Sequence, residues 1–229
     1  MTDDSRWRGY TLPRASNANY AWILHIISKL DVTHGVAGFL LANGALNDPD
    51  EYENRKQILE NDKVEAIIVL PRDMFYTTDI SVTLWIVNMN KKAGVVNGRK
   101  VRDRQHEVLF MDLRTWDANI EEIVIDKGKK KKKTVLTDEQ IVKVKKIYEN
   151  WQSEDTSLYD DVPELCKAVH LEDVMEEGNV VELGIRSNDY SLAPSKYIEF
   201  IDHDLDIDYA AEMIRIQEEH VYLALLQEN

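Results

Sequence analysis

VEAIIVLPRDMFYTTDISVTLWIVNMN, residues 64–90, consists of two apolar runs separated by a proline, two adjacent aromatics and a polar turn. Each run has the length of a β-strand, and Pro71 stops the first. The link from Leu70 to Val82 is too brief for a helical crossover, which takes about a dozen residues or more, so the second strand is expected to run antiparallel to the first. Phe75 and Tyr76 then fall at the tip between them.

Toward the N-terminus, NANYAWILHIISKL carries Tyr20, Ile23, Ile27 and Leu30 at helical spacing, with Trp22 and Ile26 on a neighbouring stripe and Asn17 or Asn19 available as a cap. VAGFLLANG, bounded by Gly35 and Gly44, is apolar on both faces, which is the pattern of a fully buried strand in a parallel sheet. A polar helix is expected from Glu51 to Asn61, and EVLFMDLR adds a further strand. Helix, strand, helix, strand is the order of a doubly wound α/β sheet. In such sheets ligands bind outside the carboxyl ends of the parallel strands, where Asn43, Gly44, Pro71 and Phe75 fall. The pattern alone leaves two readings of the aromatic tip: a wall facing a ligand, or a lid over the sheet edge.

The 229 residues are 44% hydrophobic and carry a formal net charge of −14. So acidic a chain repels a phosphate backbone unless its positive charge is concentrated, which argues against autonomous nucleic-acid binding. The one concentration is DKGKKKKKT, with Lys127 and Lys129 to Lys133. It reads as a phosphate-touching loop or as a solvated linker; a like-charge block repels itself and rarely packs, so a linker over 127–134 is expected. The single cysteine, Cys166, excludes an internal disulfide, the six histidines show no metal-ligand spacing, and no Ser/His/Asp triad is suggested. No metal site is expected. No apolar stretch approaches the roughly 20 residues of a membrane span, and the acidic, polar start lacks a signal-peptide core, so a cytoplasmic location without membrane partners is expected.

Beyond the lysines, TVLTDEQIVKVKKIYENW offers a capping box of Thr137 and Gln140, then Ile141, Val144, Ile147, Tyr148 and Trp151 on one helical face. YDDVPELCKAVHLEDVMEEG is mixed, and DYSLAPSKYIEF places a turn at Pro194. In the tail, Tyr209, Met213, Ile216, His220 and Leu223 alternate at spacings of four and three, an a/d seam too short to stand alone. It must pack on a partner or on its own domain.

The ordered series NANYAWILHIISKL, GVAGFLLANGAL, RKQILENDKVEAIIVLPRDMFYTTDISVTLWIVNMNKK, EVLFMDLR and DYSLAPSKYIEF resembles the modification (M) subunit of type I restriction-modification systems. Those subunits are N6-adenine DNA methyltransferases that use S-adenosylmethionine. The resemblance covers nearly the whole chain but only the later part of such a subunit. It implies the C-terminal half of a Rossmann-like methyltransferase sheet, parallel strands plus an antiparallel hairpin, over 1–126, then the lysine linker and a mainly helical C-terminal region over 135–229.

In the family, a glycine-rich loop cradles the methionine part of the cofactor and an Asn-Pro-Pro-aromatic tetrapeptide positions the adenine amine. Neither is present here: no glycine pair has the spacing, and none of the five prolines adjoins another. The resemblance therefore implies no catalytic residue in this chain, doubtful cofactor binding by it alone, and no methyl transfer without the missing half. Phe75 matches the motif aromatic that stacks on the flipped adenine, with Tyr76 as the next candidate. Trp22 stands where related enzymes carry an aromatic touching the cofactor's adenine ring, although a tryptophan on such a stripe also reads as core. Asn19, Asn43 and Gly44 line the same cleft or simply cap and turn.

The implied partners are the specificity (S) subunit, through a helix bearing Tyr209, Met213, Ile216 and Leu223, the restriction (R) subunit, and DNA through the assembled complex. The alternative is a non-enzymatic interaction module that binds an S or M subunit. An unpaired edge of VAGFLLANG would also favour a homodimer.

Overall fold

A computed structural model describes residues 4–76, 78–124, 128 and 130–201. The first helix, α1, spans Asn19–Ile27 and buries Tyr20, Ile23, Leu24 and Ile27, as its spacing requires. Asn17 helps to start it: its side chain accepts a hydrogen bond from the Asn19 N–H at 3.1 Å. Strand β1 is Val36–Ala42, helix α2 Tyr52–Glu60, strand β2 Val64–Val69 and strand β3 Val82–Asn88. Two short strands, β4 (Gly94–Val96) and β5 (Arg99–Val101), form a hairpin before β6, Glu107–Asp112.

The main sheet is mixed, in the order β1-β3-β2-β6 with a fifth strand, β9 (Cys166–His170), beyond β6. β3 is antiparallel to β2, as the short link demands, and antiparallel to β1 as well. β2 and β6 are parallel. β1, β2 and β6 thus point the same way, with β3 inserted in reverse between the first two.

β1 is not the fully buried strand expected. It lies at the sheet edge with β3 as its one neighbour in that sheet, and its residues alternate between partly buried and exposed. Ala37, Phe39 and Leu41 pack onto the core under α1 and α2, whereas Val36 and Leu40 remain 53% and 44% exposed. A run apolar on both faces says that both can be covered; it does not say that both are covered within one chain.

Two apolar layers hold the sheet. On one face Trp85 is fully buried, stacked on Phe39 at 6.2 Å and edge-on to Tyr20 at 6.4 Å between ring centroids. On the other, Ala66, Ile68, Leu109 and Met111 pack against Trp151 of helix α3, Asp138–Gln152. The expected capping box opens α3: Thr137 Oγ1 accepts from the Gln140 N–H (3.2 Å) and Gln140 Oε1 from the Thr137 N–H (2.8 Å).

A buried polar cluster fastens the amino end of β2. Glu65 accepts from Arg104 and Gln152 through Oε1 and from Asn88 and Tyr148 through Oε2, at 2.7–3.2 Å. Beside it the buried ammonium of Lys91 donates to the carbonyls of Val64 (3.0 Å) and Glu107 (2.7 Å) and pairs with Asp62.

Two further expectations are corrected. The described lysines from 130 onward form a strand, not a linker: β8, Lys130–Thr134, pairs antiparallel with β7, Ile120–Val124. Self-repulsion is offset because the register sets Glu121 opposite Lys133 and Glu122 opposite Lys132, and Lys130 Nζ reaches Glu122 at 2.9 Å. Nor is the region after it mainly helical as far as it is described: α3 is followed by β9 and a hairpin of β10 (Val174–Glu176) and β11 (Asn179–Glu182). β9 supplies the hydrogen-bonding partner that buried β6 needs on its second side.

Pro194 begins a short 3-10 turn, as expected of a turn there. Met1–Glu199 form one compact unit, and the seam of Tyr209, Met213, Ile216, His220 and Leu223 lies outside the described residues. No helix among the described residues is long and apolar enough to cross a membrane.

Candidate functional site

The carboxyl ends of β1 and β2 are tied together by side chains. Asn43 donates through Nδ2 to Ser81 Oγ (3.1 Å) and accepts through Oδ1 from Thr83 Oγ1 (2.7 Å), while Ser81 Oγ donates to the Leu70 carbonyl (2.6 Å). From this brace the loop of residues 71–81 projects beyond the sheet. Pro71 is buried at its root, and Asp73 takes a left-handed φ of 61° to turn the chain. At the tip Phe75 is half-buried and Tyr76 is 63% exposed.

The β7–β8 hairpin leaves the same end of the sheet, from the carboxyl end of β6, and closes on this loop. The Thr134 N–H donates to the Asp73 carbonyl at 3.0 Å. Lys131 Nζ donates to the Tyr76 carbonyl at 3.3 Å and pairs with Asp79. Lys133 sets its ammonium 4.8 Å from the centroid of the Tyr76 ring. At the foot of the hairpin Lys143 lies 5.3 Å from the Trp116 ring centroid. There too the Asp112 carboxylate accepts from Arg114 Nε at 2.9 and 3.0 Å, a bond that raises the guanidinium pKa further above its ordinary value.

The residues considered for a cofactor lie on α1 and on the turn after β1. The start of α1 rests on the turn after β1, because Tyr20 donates its hydroxyl to the Ala45 carbonyl (2.8 Å) and Asn17 its amide to Asp48 (2.8 Å). Asn19 is the first residue of α1 and is half-buried. Trp22 is 60% exposed, touched edge-on by His25 at 6.1 Å, so it is not a core residue. Asn43 spends both amide atoms on the brace, and the position a Gly44 Cβ would occupy is open.

Chemically this is a binding surface. Half-exposed aromatic faces stand beside cations, which suits a planar ring attached to an anion. Among the described residues no cluster of His, Cys, Asp and Glu could hold a metal ion. The sequence reading missed Lys131 and Lys133 as neighbours of the tip. The available signal was the succession of IEEIV, a glycine and an uninterrupted run ending in Thr134, which is that of a hairpin.

Residues 1–205 match the family model described as N-6 DNA Methylase. The chain is 31% identical over 216 residues to the type I restriction enzyme HindI methylase subunit of Haemophilus influenzae, covering 93% of this chain and 41% of that one. It is 29% identical over 211 residues to the type I restriction enzyme MjaIX methylase subunit of Methanocaldococcus jannaschii, covering 91% and 32%. The crystal structure of a type I restriction-modification methyltransferase subunit from Streptococcus thermophilus superposes with a TM-score of 0.63 at 25% identity, over 87% of this chain and 34% of that one. A chain from a structural study of the assembly of a type I R-M system shares the fold, with a TM-score of 0.52 at 16% identity over 96% of this chain and 42% of that chain. The chain thus spans less than half the length of these relatives.

Proposed function

The chain belongs to the N-6 DNA methylase family, and from that premise we propose that it forms the base-holding wall of a type I modification subunit that methylates adenine N6 in DNA. The observation that carries this reading is the Phe75–Tyr76 tip beyond the carboxyl end of β2, braced by Asn43 and Ser81. An adenine must leave the duplex to be modified, which costs a few kcal/mol, and stacking on an aromatic face returns about 1–3 kcal/mol per base. Phe75 is the principal stacking residue and Tyr76 the second.

S-adenosylmethionine supplies the methyl group in this family. Trp22 is the residue here that fits its adenine ring, because most of the indole is open to solvent. Asn19 and Gly44 contribute only the backbone around it, and Asn43 serves the brace. The exocyclic amine is a poor nucleophile whose lone pair is delocalised into the ring, so attack requires acceptors that hold its two hydrogens. The Asn-Pro-Pro-aromatic tetrapeptide that does so in the family is not among these 229 residues. Methyl transfer therefore requires a polypeptide that carries it.

The exposed side of β1 supports joining to such a polypeptide. Val36 and Leu40 face outward, and they continue across Leu84 and Ile86 toward an apolar groove of about 300 Å³ between the sheet and α3. The specificity and restriction subunits and, through them, DNA are the remaining partners. The same exposed edge supports the second reading, an interaction module without activity of its own that pairs with another M subunit or with a second copy of itself.

The test is calorimetric titration with S-adenosylmethionine, first of the chain alone and then with the amino-terminal portion of a type I methylase subunit added, followed by transfer of labelled methyl groups to DNA. No heat and no label from the chain alone, and both from the mixture, are expected. Label incorporated by the chain unaided sinks the requirement for a complement; a Phe75→Ala mixture that methylates at the unaltered rate sinks the base wall. Stable association without cofactor heat or label favours the interaction module.

A further inference from the structure

We infer that the β7–β8 hairpin is a nucleic-acid backbone clamp at the rim of the base site, in which Lys133 contacts a DNA phosphate and Lys131 holds the aromatic loop in place. The occupant rests on the base-wall reading, whereas the availability of the Lys133 charge is independent of it.

The division of labour among the lysines follows from strand geometry. Alternate residues of a strand face opposite sides, so Lys131 and Lys133 share the face turned to the 71–81 loop and Lys130 and Lys132 the other. Lys130 is spent on Glu122. Lys131 is spent on Asp79 and on the Tyr76 carbonyl. Lys132 and Lys133 form no ion pair with the glutamates that the register sets opposite them; Lys132 lies on the face turned away from the loop, whereas the Lys133 ammonium lies over Tyr76. No carboxylate among the described residues pairs with it.

A cation held over an exposed ring, with its natural counter-charge one strand away and unused, is a charge kept available. In a chain with a net charge of −14, it lies in the one segment where positive charge is concentrated. A base stacked on the tip carries its phosphate a sugar's width from the ring, within the sweep of a lysine whose Nζ lies 4.8 Å from the Tyr76 ring centroid. A point charge on a flexible stem suits a phosphate whose position shifts as the nucleotide enters. The partner is thus a polynucleotide strand with one base turned toward the loop, and the hairpin reads its backbone without regard to sequence.

The experiment uses the 229-residue chain and a fluorescent single-stranded DNA oligonucleotide containing 2-aminopurine, with anisotropy followed against salt concentration. Lys133→Gln is expected to lower the slope of log affinity against log salt by about 0.7, the loss of one phosphate contact on a single strand. Lys130→Gln, whose charge is paired, is expected to leave the slope unchanged. Phe75→Ala is expected to weaken 2-aminopurine quenching and leave the slope unaltered.

An unchanged slope in Lys133→Gln overturns the clamp even where Phe75→Ala shows that the base reading stands. If Lys133→Gln lowers the slope while Phe75→Ala changes nothing, the clamp stands and the base wall falls. A Lys133→Gln chain that loses quenching at constant slope shows Lys133 to be a staple for Tyr76 and no phosphate ligand. Absence of binding at low ionic strength, or displacement by polyglutamate as effective as by DNA, also overturns it.

Discussion

Glu65 and Arg104, 39 residues apart in sequence and both withdrawn from solvent, meet at 3.2 Å through two guanidinium nitrogens and one carboxylate oxygen. Asn88, Tyr148 and Gln152 complete the carboxylate's partners, so one side chain of β2 gathers β3, α3 and the segment before β6. Removing one member of a buried pair leaves the other charged and unpaired, at about 3–5 kcal/mol, whereas replacing both with apolar residues of similar volume is close to neutral. Glu65→Ala is therefore expected to lose about that much stability in urea unfolding, and Glu65→Leu with Arg104→Met far less. A loss below about 1 kcal/mol for Glu65→Ala would show that water replaces the partners.

Acid stability should depend on Glu107. Burial raises its carboxyl pKa, but hydrogen bonds and charge from Arg102, the Trp151 indole N–H and the nearby His170 outweigh burial, and the net shift is downward from 4.5. A carboxylate whose pKa is lower in the folded chain than in the unfolded one contributes stability that is complete above 4.5 and drains as pH falls through the folded value. The melting temperature should hold above that pH and drop below it, and Glu107→Gln should flatten the drop. An equally steep acid limb in the variant assigns the effect to other carboxylates.

Trp22 offers a separation of stability from binding. An indole 60% exposed contributes little to the fold, so Trp22→Ala should shift the unfolding midpoint by no more than about 0.5 kcal/mol. The same change should diminish the heat of S-adenosylmethionine binding once the amino-terminal portion is present. Unaltered heat removes Trp22 from the cofactor site.

The edge of β1 predicts self-association. Leu40 lies on its exposed face, and a lysine on an edge strand discourages pairing with another chain. Size-exclusion chromatography with light scattering should find concentration-dependent dimers in the native chain and a monomer in Leu40→Lys. A native chain that stays monomeric at all concentrations shows that this edge does not recruit a second copy.

Most of the sheet was legible because its signals are local: Pro71 and the short link fixed β3 as antiparallel, and Thr137 with Gln140 announced α3. The place of β1 was not, since a continuous apolar run records potential burial, and edge or centre depends on what else is present. The lysine strand was hidden for a related reason. Its charges are tolerable through Glu121, Glu122, Asp79 and Tyr76, which are distant in sequence or in another strand. Phe75 and Tyr76 were located by pattern at the tip, but the cations beside Tyr76 became apparent only when the hairpin folded back.

Because β3 is wedged in reverse between two codirectional strands, β1 is hydrogen-bonded to the sheet through β3 alone, while α1 and the inner face of β1 are held by the apolar layer they share with α2. A backbone cut in the connection between β1 and α2 would leave the ladder of β3, β2, β6 and β9 zipped, with the severed segment retained by side-chain packing rather than by the chain. The arrangement that leaves one ladder open thus makes β3 the single backbone tether of its bearer.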